Sequence, residues 1–283
     1  MYGTSEGDLR EFGKRTVCCF PSVNIELSAP VTTAEFQAIQ AQHPHAITHG
    51  EKIPVRSIQS SDTAINHTGV GMGCMVTLST KGEQVRFNAT VTTPLTGGSS
   101  ANIAHALQEL GIGDVGILGA VGDDFYGHHI ISTLRDRKLG IAMLPREETA
   151  MSLILREPDG VATLFACKPP YTFDDAMKTR LARTLYPQML IASGVRFDDL
   201  ALVESLWQST QARVRVFSPH IDLVSSSEES RTRCLKLCSE ADLVHMNDYE
   251  AARLFKLRDK DGGVSFPSDD EMAKQVMQEK VAP

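Results

Sequence analysis

Two adjacent glycines lie at the start of a helical pattern, in the stretch Thr96-Gly97-Gly98-Ser99-Ser100-Ala101-Asn102. Downstream, apolar residues recur at the i, i+4 and i+7 positions of one helix face, at Ile103, Leu107 and Leu110. Because glycines lack Cβ atoms, a ligand can approach this backbone closely, and the free N–H groups of the helix start would point toward it. Ser99 or Ser100 is a candidate helix cap, and Asn102 is placed to hydrogen-bond the ligand. The alternative is a tight turn in which the glycines serve backbone geometry alone.

The helical pattern leads into a second glycine-rich run, from Asp114 to Gly127, and then into another helix that ends near Ile141. Far downstream stands the sequence Met246-Asn247-Asp248-Tyr249-Glu250-Ala251-Ala252. The run from Gly97 to about Ile141 closely resembles the first signature of the ribokinase-like (PfkB) family of sugar and nucleoside kinases. The downstream sequence resembles the N-x-x-E motif of the same family. Two motifs in the family's order are a more specific signal than either motif alone.

From Asp174 onward, helical segments and short apolar segments alternate. Helices are predicted at about 174–185, 198–210 and 228–240, and they lead into apolar runs at 189–194, 214–219 and 242–247. This alternation is typical of βαβ units, which build a parallel sheet with helices on both faces. Together with the resemblance, it predicts an α/β fold of the ribokinase-like type, a three-layer αβα arrangement with a small β lid.

The strands expected to form the lid show a hairpin signal. Strand patterns at Thr149–Arg156 and Val161–Cys167 flank the turn sequence Pro158-Asp159-Gly160, and Glu83–Thr93 alternates like a half-buried strand. In the resembled family such strands cover the sugar site and often build a dimer, so a homodimer through the lid sheet is expected. A hairpin that is only a structural edge is the alternative.

The chain is expected to divide near residue 66. Residues 1–66 carry no chemical motif and are predicted to form an N-terminal extension of unknown role, with a possible strand at Val17–Phe20. Residues 67–283 are predicted to form the kinase-like domain, starting with a buried first strand at Thr68–Leu78. The resemblance makes this domain incomplete at its C-terminal end. The family's second signature, a G-A-G-D-like turn that supplies an anion hole and the catalytic Asp, is not found, and Gly262-Gly263 reads as a surface loop.

The resemblance also implies which residues hold the substrate. Gly97, Gly98 and Asn102 would do so at the start of the helix. The family's first strand ends in an Asp that binds substrate hydroxyls, and at that place this chain has Thr77 or Leu78. Thr77 is therefore the candidate there, although a hydroxyl is a weaker partner for sugar hydroxyls than a carboxylate.

For the second motif, the resemblance implies a role beside ATP. Asn247 and Glu250 would position Mg²⁺ and its waters near the ATP phosphates, because hard cations prefer oxygen ligands. The alternative is that Asn247 caps a helix, with Glu250 placed favourably near the positive end of its dipole. No catalytic residue is assigned, because the expected base belongs to the absent turn.

Composition excludes several other classes. The net charge of −7 and a pI near 5.7 argue against a nucleic-acid-binding protein. No apolar run reaches transmembrane length, so a cytosolic protein without membrane contact is expected. The six cysteines show no disulfide or metal spacing and are predicted to be free buried thiols, and His43-Pro44-His45 is more typical of a solvated loop than of a metal site. The G-x-G-x-x-G match from Gly111 to Gly116 leaves a helix and enters a strand, which is the reverse of a dinucleotide-binding fingerprint.

Two functions remain. The first is ATP-dependent phosphorylation of a sugar or nucleoside hydroxyl, in a chain truncated before the catalytic Asp. The second is a non-catalytic sugar- or nucleoside-binding protein, or a regulatory pseudokinase, on the same fold. An NAD-dependent enzyme, the third function considered, is disfavoured because the G-x-G-x-x-G match stands in the wrong context.

Overall fold

The computed structural model describes residues 11–43, 47, 52–60, 72–80, 83–91, 94–171 and 173–256. Several expectations fall on residues outside this part of the chain: the start of the strand predicted from Thr68, the Pro44-His45 pair and the Gly262-Gly263 loop. Among the described residues, no helix combines the length and the apolar character that a membrane crossing requires.

A six-stranded parallel sheet forms the centre of the fold. Its strands are β1 (Val17–Pro21), β8 (Val115–Gly122), β9 (Gly140–Arg146), β12 (Met189–Val195), β13 (Val214–Pro219) and β14 (Leu243–Val244). Their order across the sheet is β14-β13-β12-β1-β8-β9. Strands β1 and β8 are buried along their whole length, as expected for a sheet that is covered on both faces.

Helices cover both faces of this sheet. They are α1 (Thr33–Gln42), α2 (Ser99–Glu109), α3 (Phe125–Asp136), α4 (Asp175–Thr184), α5 (Leu200–Ser209), α6 (Ile221–Ser226), α7 (Glu228–Glu240) and α8 (Asp248–Leu254). Helices α2 and α3 share one apolar core with the side of the sheet that faces the smaller sheets, and α4 to α7 share a second core on the other side. The predicted three-layer arrangement is confirmed, and the three helices predicted after Asp174 begin and end within two residues of their predicted bounds.

Two smaller sheets pack beside the parallel sheet. Their strands are β2 (Asn24–Pro30), β3 (Lys52–Pro54), β4 (Ser57–Ser60), β5 (Met72–Thr80), β6 (Glu83–Val91), β7 (Leu95–Gly97), β10 (Met151–Arg156) and β11 (Ala162–Cys167). One is a mixed sheet with the order β3-β11-β10-β2-β7, and the other is antiparallel with the order β4-β5-β6. The predicted hairpin is confirmed as β10 and β11, which pair antiparallel, with Met151 opposite Cys167 at one end and Arg156 opposite Ala162 at the other.

The position of β1 differs from the prediction that residues 1–66 form an N-terminal extension. This strand pairs in parallel with β8 on one side and with β12 on the other, so it lies in the middle of the main sheet. The strand predicted to come first, Thr68–Leu78, instead contributes to β5 of the antiparallel sheet. The physical reason is burial. Strand β1 is apolar on both faces and shows no alternation, whereas in β5 Val76 and Leu78 are buried and Thr77 between them is half-exposed.

Candidate substrate site at the start of α2

The start of α2 lies against the loop that follows β1. Gly98 occupies the N-cap position with φ 95° and ψ 145°, and it has no side chain that could cap the helix. A Cβ atom on Gly98 would lie 2.6 Å from the carbonyl oxygen of Ser22 and 2.7 Å from Oδ1 of Asn24. Both the positive φ and the close approach therefore require glycine at this position.

Ser100 does not cap the helix but joins the start of α2 by hydrogen bonds to Ser22, after β1, and to Ser193 on β12. Its backbone N–H donates to the carbonyl oxygen of Ser22, at 3.1 Å, and its Oγ accepts from the N–H of Ser22, also at 3.1 Å. The same hydroxyl donates to the carbonyl oxygen of Ser193, at 3.2 Å. Ser100 is fully buried, so these bonds fix the start of α2 against the carboxyl ends of β1 and β12. The expected cap at Ser99 or Ser100 is replaced by Gly98.

Glu26 supplies the carboxylate that sequence analysis did not find. It lies on β2, and its Oε1 accepts a hydrogen bond from the N–H of Gly98, at 3.2 Å. A Cβ atom on Gly97 would collide with the Glu26 side chain. The carboxylate therefore lies at the helix start, where it can accept strong charge-assisted hydrogen bonds from ligand hydroxyls.

Of the expected substrate residues, three meet at this place and one does not. Gly97 and Gly98 flank the Glu26 carboxylate, and Asn102 is exposed in the first turn of α2, with its N–H bonded to the carbonyl oxygen of Gly98 at 2.9 Å. Thr77 lies on β5, opposite Gln59 on β4 and Arg86 on β6, in the separate antiparallel sheet. The expectation for Thr77 rested on taking β5 as the first strand of the main sheet, and that assignment was wrong.

Asn247 and Glu250 form a capping box at the start of α8. Asn247 Oδ1 accepts from the N–H of Glu250 at 2.7 Å, and Glu250 Oε2 accepts from the N–H of Asn247 at 3.1 Å. Asn247 therefore caps this helix, as the alternative interpretation of the sequence predicted. Asn247 is exposed and Glu250 is half-exposed at the carboxyl edge of the parallel sheet, beyond β14. Within the described ranges, no three His, Cys, Asp or Glu side chains group as a metal site.

The cysteines described with their side chains behave as predicted. Cys18, Cys19, Cys167, Cys234 and Cys238 are buried and free. Burial raises the pKa of Cys19 to about 12, so its thiol stays protonated at physiological pH.

Comparison with known proteins identifies the family. The sequence model of the pfkB family of carbohydrate kinases matches residues 74–282. The chain belongs to this family. The helix start at Gly98, with its glycine pair and Asn102, lies within the matched residues, whereas Glu26 precedes them.

Curated relatives of this PfkB chain include two plant fructokinases. Fructokinase-1 of Zea mays is 27% identical over 168 residues, which cover 54% of this chain and 51% of that protein. Fructokinase-1 of Oryza sativa subsp. japonica is 25% identical over 169 residues, with the same coverage. The chain therefore spans about half the length of the curated relatives it matches.

Solved structures share the fold. A probable sugar kinase from Rhizobium etli superposes with a TM-score of 0.61 at 14% identity and covers 93% of this chain and 71% of that one. Ribokinase from Giardia lamblia gives a TM-score of 0.57 at 15% identity, covering 93% of this chain and 64% of that one. Adenosine kinase from Anopheles gambiae gives 0.57 at 12% identity, covering 85% of this chain and 67% of that one. At these identities the likeness shows the ribokinase-like fold alone.

Proposed function

We propose that this PfkB chain belongs to an enzyme that transfers a phosphoryl group from ATP to a hydroxyl group of a sugar or nucleoside. The observation that carries the proposal is the Glu26 carboxylate held against Gly97 and Gly98 at the start of α2. The carboxylate offers acceptors and the exposed side-chain amide of Asn102 offers a donor and an acceptor, which suits a ligand with several neighbouring hydroxyls. The fructokinase relatives support a sugar as the first substrate to test.

Phosphoryl transfer depends mainly on positioning and on charge stabilisation. In this proposal Glu26 and Asn102 orient the substrate hydroxyls, while the glycine pair lets the ligand approach the backbone. Mg²⁺, when bound, would neutralise charge on the ATP phosphates. The half-exposed carboxylate of Glu250, beside Asn247, has the oxygen donors that suit contact with waters of such an ion.

The substrate site is tested with Glu26→Gln, which keeps the shape of the side chain and removes its charge. Binding of fructose, ribose and adenosine is measured by isothermal titration, and phosphorylation by ATP is measured with the same compounds. Loss of a charge-assisted hydrogen bond weakens binding by roughly 10- to 100-fold. Glu109→Gln is the matched control, because Glu109 is an exposed residue at the opposite end of α2. Unchanged affinity of Glu26→Gln for every compound that the wild-type chain binds would overturn the assignment.

A non-catalytic binding or regulatory protein is the second candidate. The capping box favours it, since helix capping accounts for both Asn247 and Glu250 without any metal ion. This candidate predicts saturable sugar or nucleoside binding with no phosphorylated product. The predicted truncation is tested separately, by comparing the intact mass of the natural protein with its coding sequence. The homodimer and the cytosolic location stay predictions, to be checked by light scattering and by cell fractionation.

A further inference from the structure

Cys234 and Cys238 lie one helical turn apart on the buried face of α7. Both belong to the apolar core on that side of the parallel sheet, and their exposed fractions are 0% and 6%. A hydrogen bond between the two thiols and burial raise the pKa of Cys234, so this thiol is protonated at physiological pH. Side chains four positions apart on a helix are neighbours, with about 5–6 Å between their Cβ atoms. The two thiols therefore form a buried pair.

The spacing of this pair disfavours both a disulfide and a zinc site. A disulfide requires about 3.5–4.5 Å between the two Cβ atoms, which is less than the spacing of about 5–6 Å on a regular helix. Structural zinc requires four ligands. Within the described ranges, no third His, Cys, Asp or Glu side chain joins the two thiols as a metal site. The pair suits a ligand atom that binds two sulfurs and spans the gap between them.

The apolar surroundings of the pair favour a ligand that leaves no charge behind. Leu237 and Phe217 are buried in the same core as the two thiols. Soft ions select thiolate ligands, but a monovalent soft cation held by two thiolates forms an anion, and a buried unpaired charge is costly. Trivalent arsenic that carries one organic group binds two sulfurs as a neutral product. Burial therefore favours the arsenical over the cation.

Helix α8 packs against the same turn of α7. Arg231, three positions before Cys234, donates a hydrogen bond from its Nε to the carbonyl oxygen of Leu254 at the end of α8. Leu254 is fully buried in the core that holds the two thiols, and the charges of Glu250 and Arg231 both act on the Cys234 thiol. Helix α8 has seven residues, so its stability depends on this packing. A group added to the thiols would compete with α8 for the same buried space.

We propose that Cys234 and Cys238 form a dithiol site for trivalent organoarsenicals, and that occupation of this site displaces α8 together with Asn247 and Glu250. In the reaction with phenylarsine oxide, two S–H bonds and the bonds between arsenic and oxygen break, two As–S bonds form, and the oxygen leaves as water. Arsenic stays trivalent, so no oxidant is needed. The reagent reaches the buried thiols when α8 opens locally. The test does not depend on the proposed kinase activity, because binding is measured without sugar or ATP.

The first experiment adds phenylarsine oxide to the folded 283-residue chain and counts the bound groups by intact mass. We expect one phenylarsenic group that is retained in excess glutathione and released by ethanedithiol, because the second As–S bond forms within the molecule. Cys234→Ser and Cys238→Ser each leave a single thiol and should lose this retention. Cys167→Ser is the matched control, because Cys167 is a buried free thiol on β11, in another sheet. No retained group in the wild type, or equal retention in all four proteins, overturns the proposal.

The second experiment uses the wild type alone, so it holds even if a serine variant does not fold. After removal of excess reagent the chain is unfolded in urea and labelled with iodoacetamide, and peptide mapping shows which cysteines are protected. We expect protection of Cys234 and Cys238 and labelling of Cys18 and Cys19, which lie in different cores on opposite faces of β1. In the folded adduct, amide hydrogen exchange in α8 should be at least about tenfold faster. Protection of other cysteines instead, or unchanged exchange in α8, overturns the proposal.

Discussion

The contact between Gly98 and the end of β1 predicts that Gly98→Ala destabilises the fold far more than Gly111→Ala. The two glycines flank α2, and both have positive φ angles, of 95° and 86°. A Cβ atom at Gly98 would lie 2.6 Å from the Ser22 carbonyl oxygen and 2.7 Å from Asn24 Oδ1. A Cβ atom at Gly111 would meet nothing within 4 Å. Both substitutions therefore place an L residue at positive φ, and only Gly98→Ala also creates close contacts with neighbouring atoms.

The size of the difference follows from these two contributions. An L residue held at positive φ costs about 1–3 kcal/mol of unfolding free energy, and this applies at both positions. Crowding a well-packed region adds about 1–3 kcal/mol, and this applies only at Gly98. We therefore expect Gly98→Ala to exceed Gly111→Ala by about 2 kcal/mol, which is about 4–8 °C in Tm for a domain of this size.

Urea denaturation followed by circular dichroism measures the two free energies, and calorimetric titration with sugar measures the site. Gly98→Ala should also weaken ligand binding, because any shift at residue 98 moves the N–H donors at the start of α2. Gly111→Ala should bind like the wild type. Equal destabilisation by the two substitutions would falsify the argument from the close approach.

Three further predictions concern the stability and reactivity of the described residues. Asp124→Ala removes the acceptor of the Thr149 N–H and hydroxyl hydrogen bonds, both 2.7 Å, and the cap of α3, so we expect about 2–4 kcal/mol loss in thermal unfolding. Hydrogen bonds from Thr16 lower the pKa of Asp114 in the folded protein. The free energy of unfolding of the wild type should therefore exceed that of Asp114→Asn fully above about pH 4, the ordinary pKa of an aspartate, and the excess should disappear as the pH falls through the lowered pKa of the folded state. Urea denaturation of both proteins at each pH measures this difference. The thiol of Cys19, with its pKa raised to about 12, should resist iodoacetamide at pH 8 in the native protein and react after unfolding, as measured by peptide mass mapping.

Each of these predictions has a matched comparison. Asp123→Ala serves for Asp124→Ala, because the exposed Asp123 contacts His128 and lies outside the α3 cap. A loss as large in the Asp123 variant would contradict the hydrogen-bond argument. An Asp114→Asn variant whose stability tracks that of the wild type down to pH 2 would contradict the second prediction, and native labelling of Cys19 would contradict the third.

The second half of the fold could be predicted from sequence because its signals are local. Helix α4 begins after the cap Asp174 and helix α7 begins after the cap Ser227, and each leads into a short strand of the parallel sheet. Helix caps and apolar repeats involve residues only a few positions apart, so a single sequence is enough to recognise them. The prediction of helix α2 followed from the same kind of pattern, although its cap proved to be Gly98.

The central place of strand β1 and the carboxylate of Glu26 were missed for two different reasons. The sequence predicted a strand at Val17–Phe20, but a short apolar run with no alternation does not reveal which strands it will pair with. Strand β2 does carry a signal, because Ile25, Leu27 and Ala29 are buried while Glu26 between them is less so. The contact between Glu26 and Gly98 joins residues 72 positions apart, and no spacing along the chain reveals such a pairing.

The central place of β1 has a consequence for how the protein is made. Strand β1 leaves the ribosome before both of its partners, because β8 and β12 are synthesised about 100 and about 170 residues later. That delay is at least several seconds at the usual rate of about 5–20 residues per second. During that interval an apolar strand with two unpaired edges is exposed in the nascent chain. The protein should therefore depend on chaperones during translation.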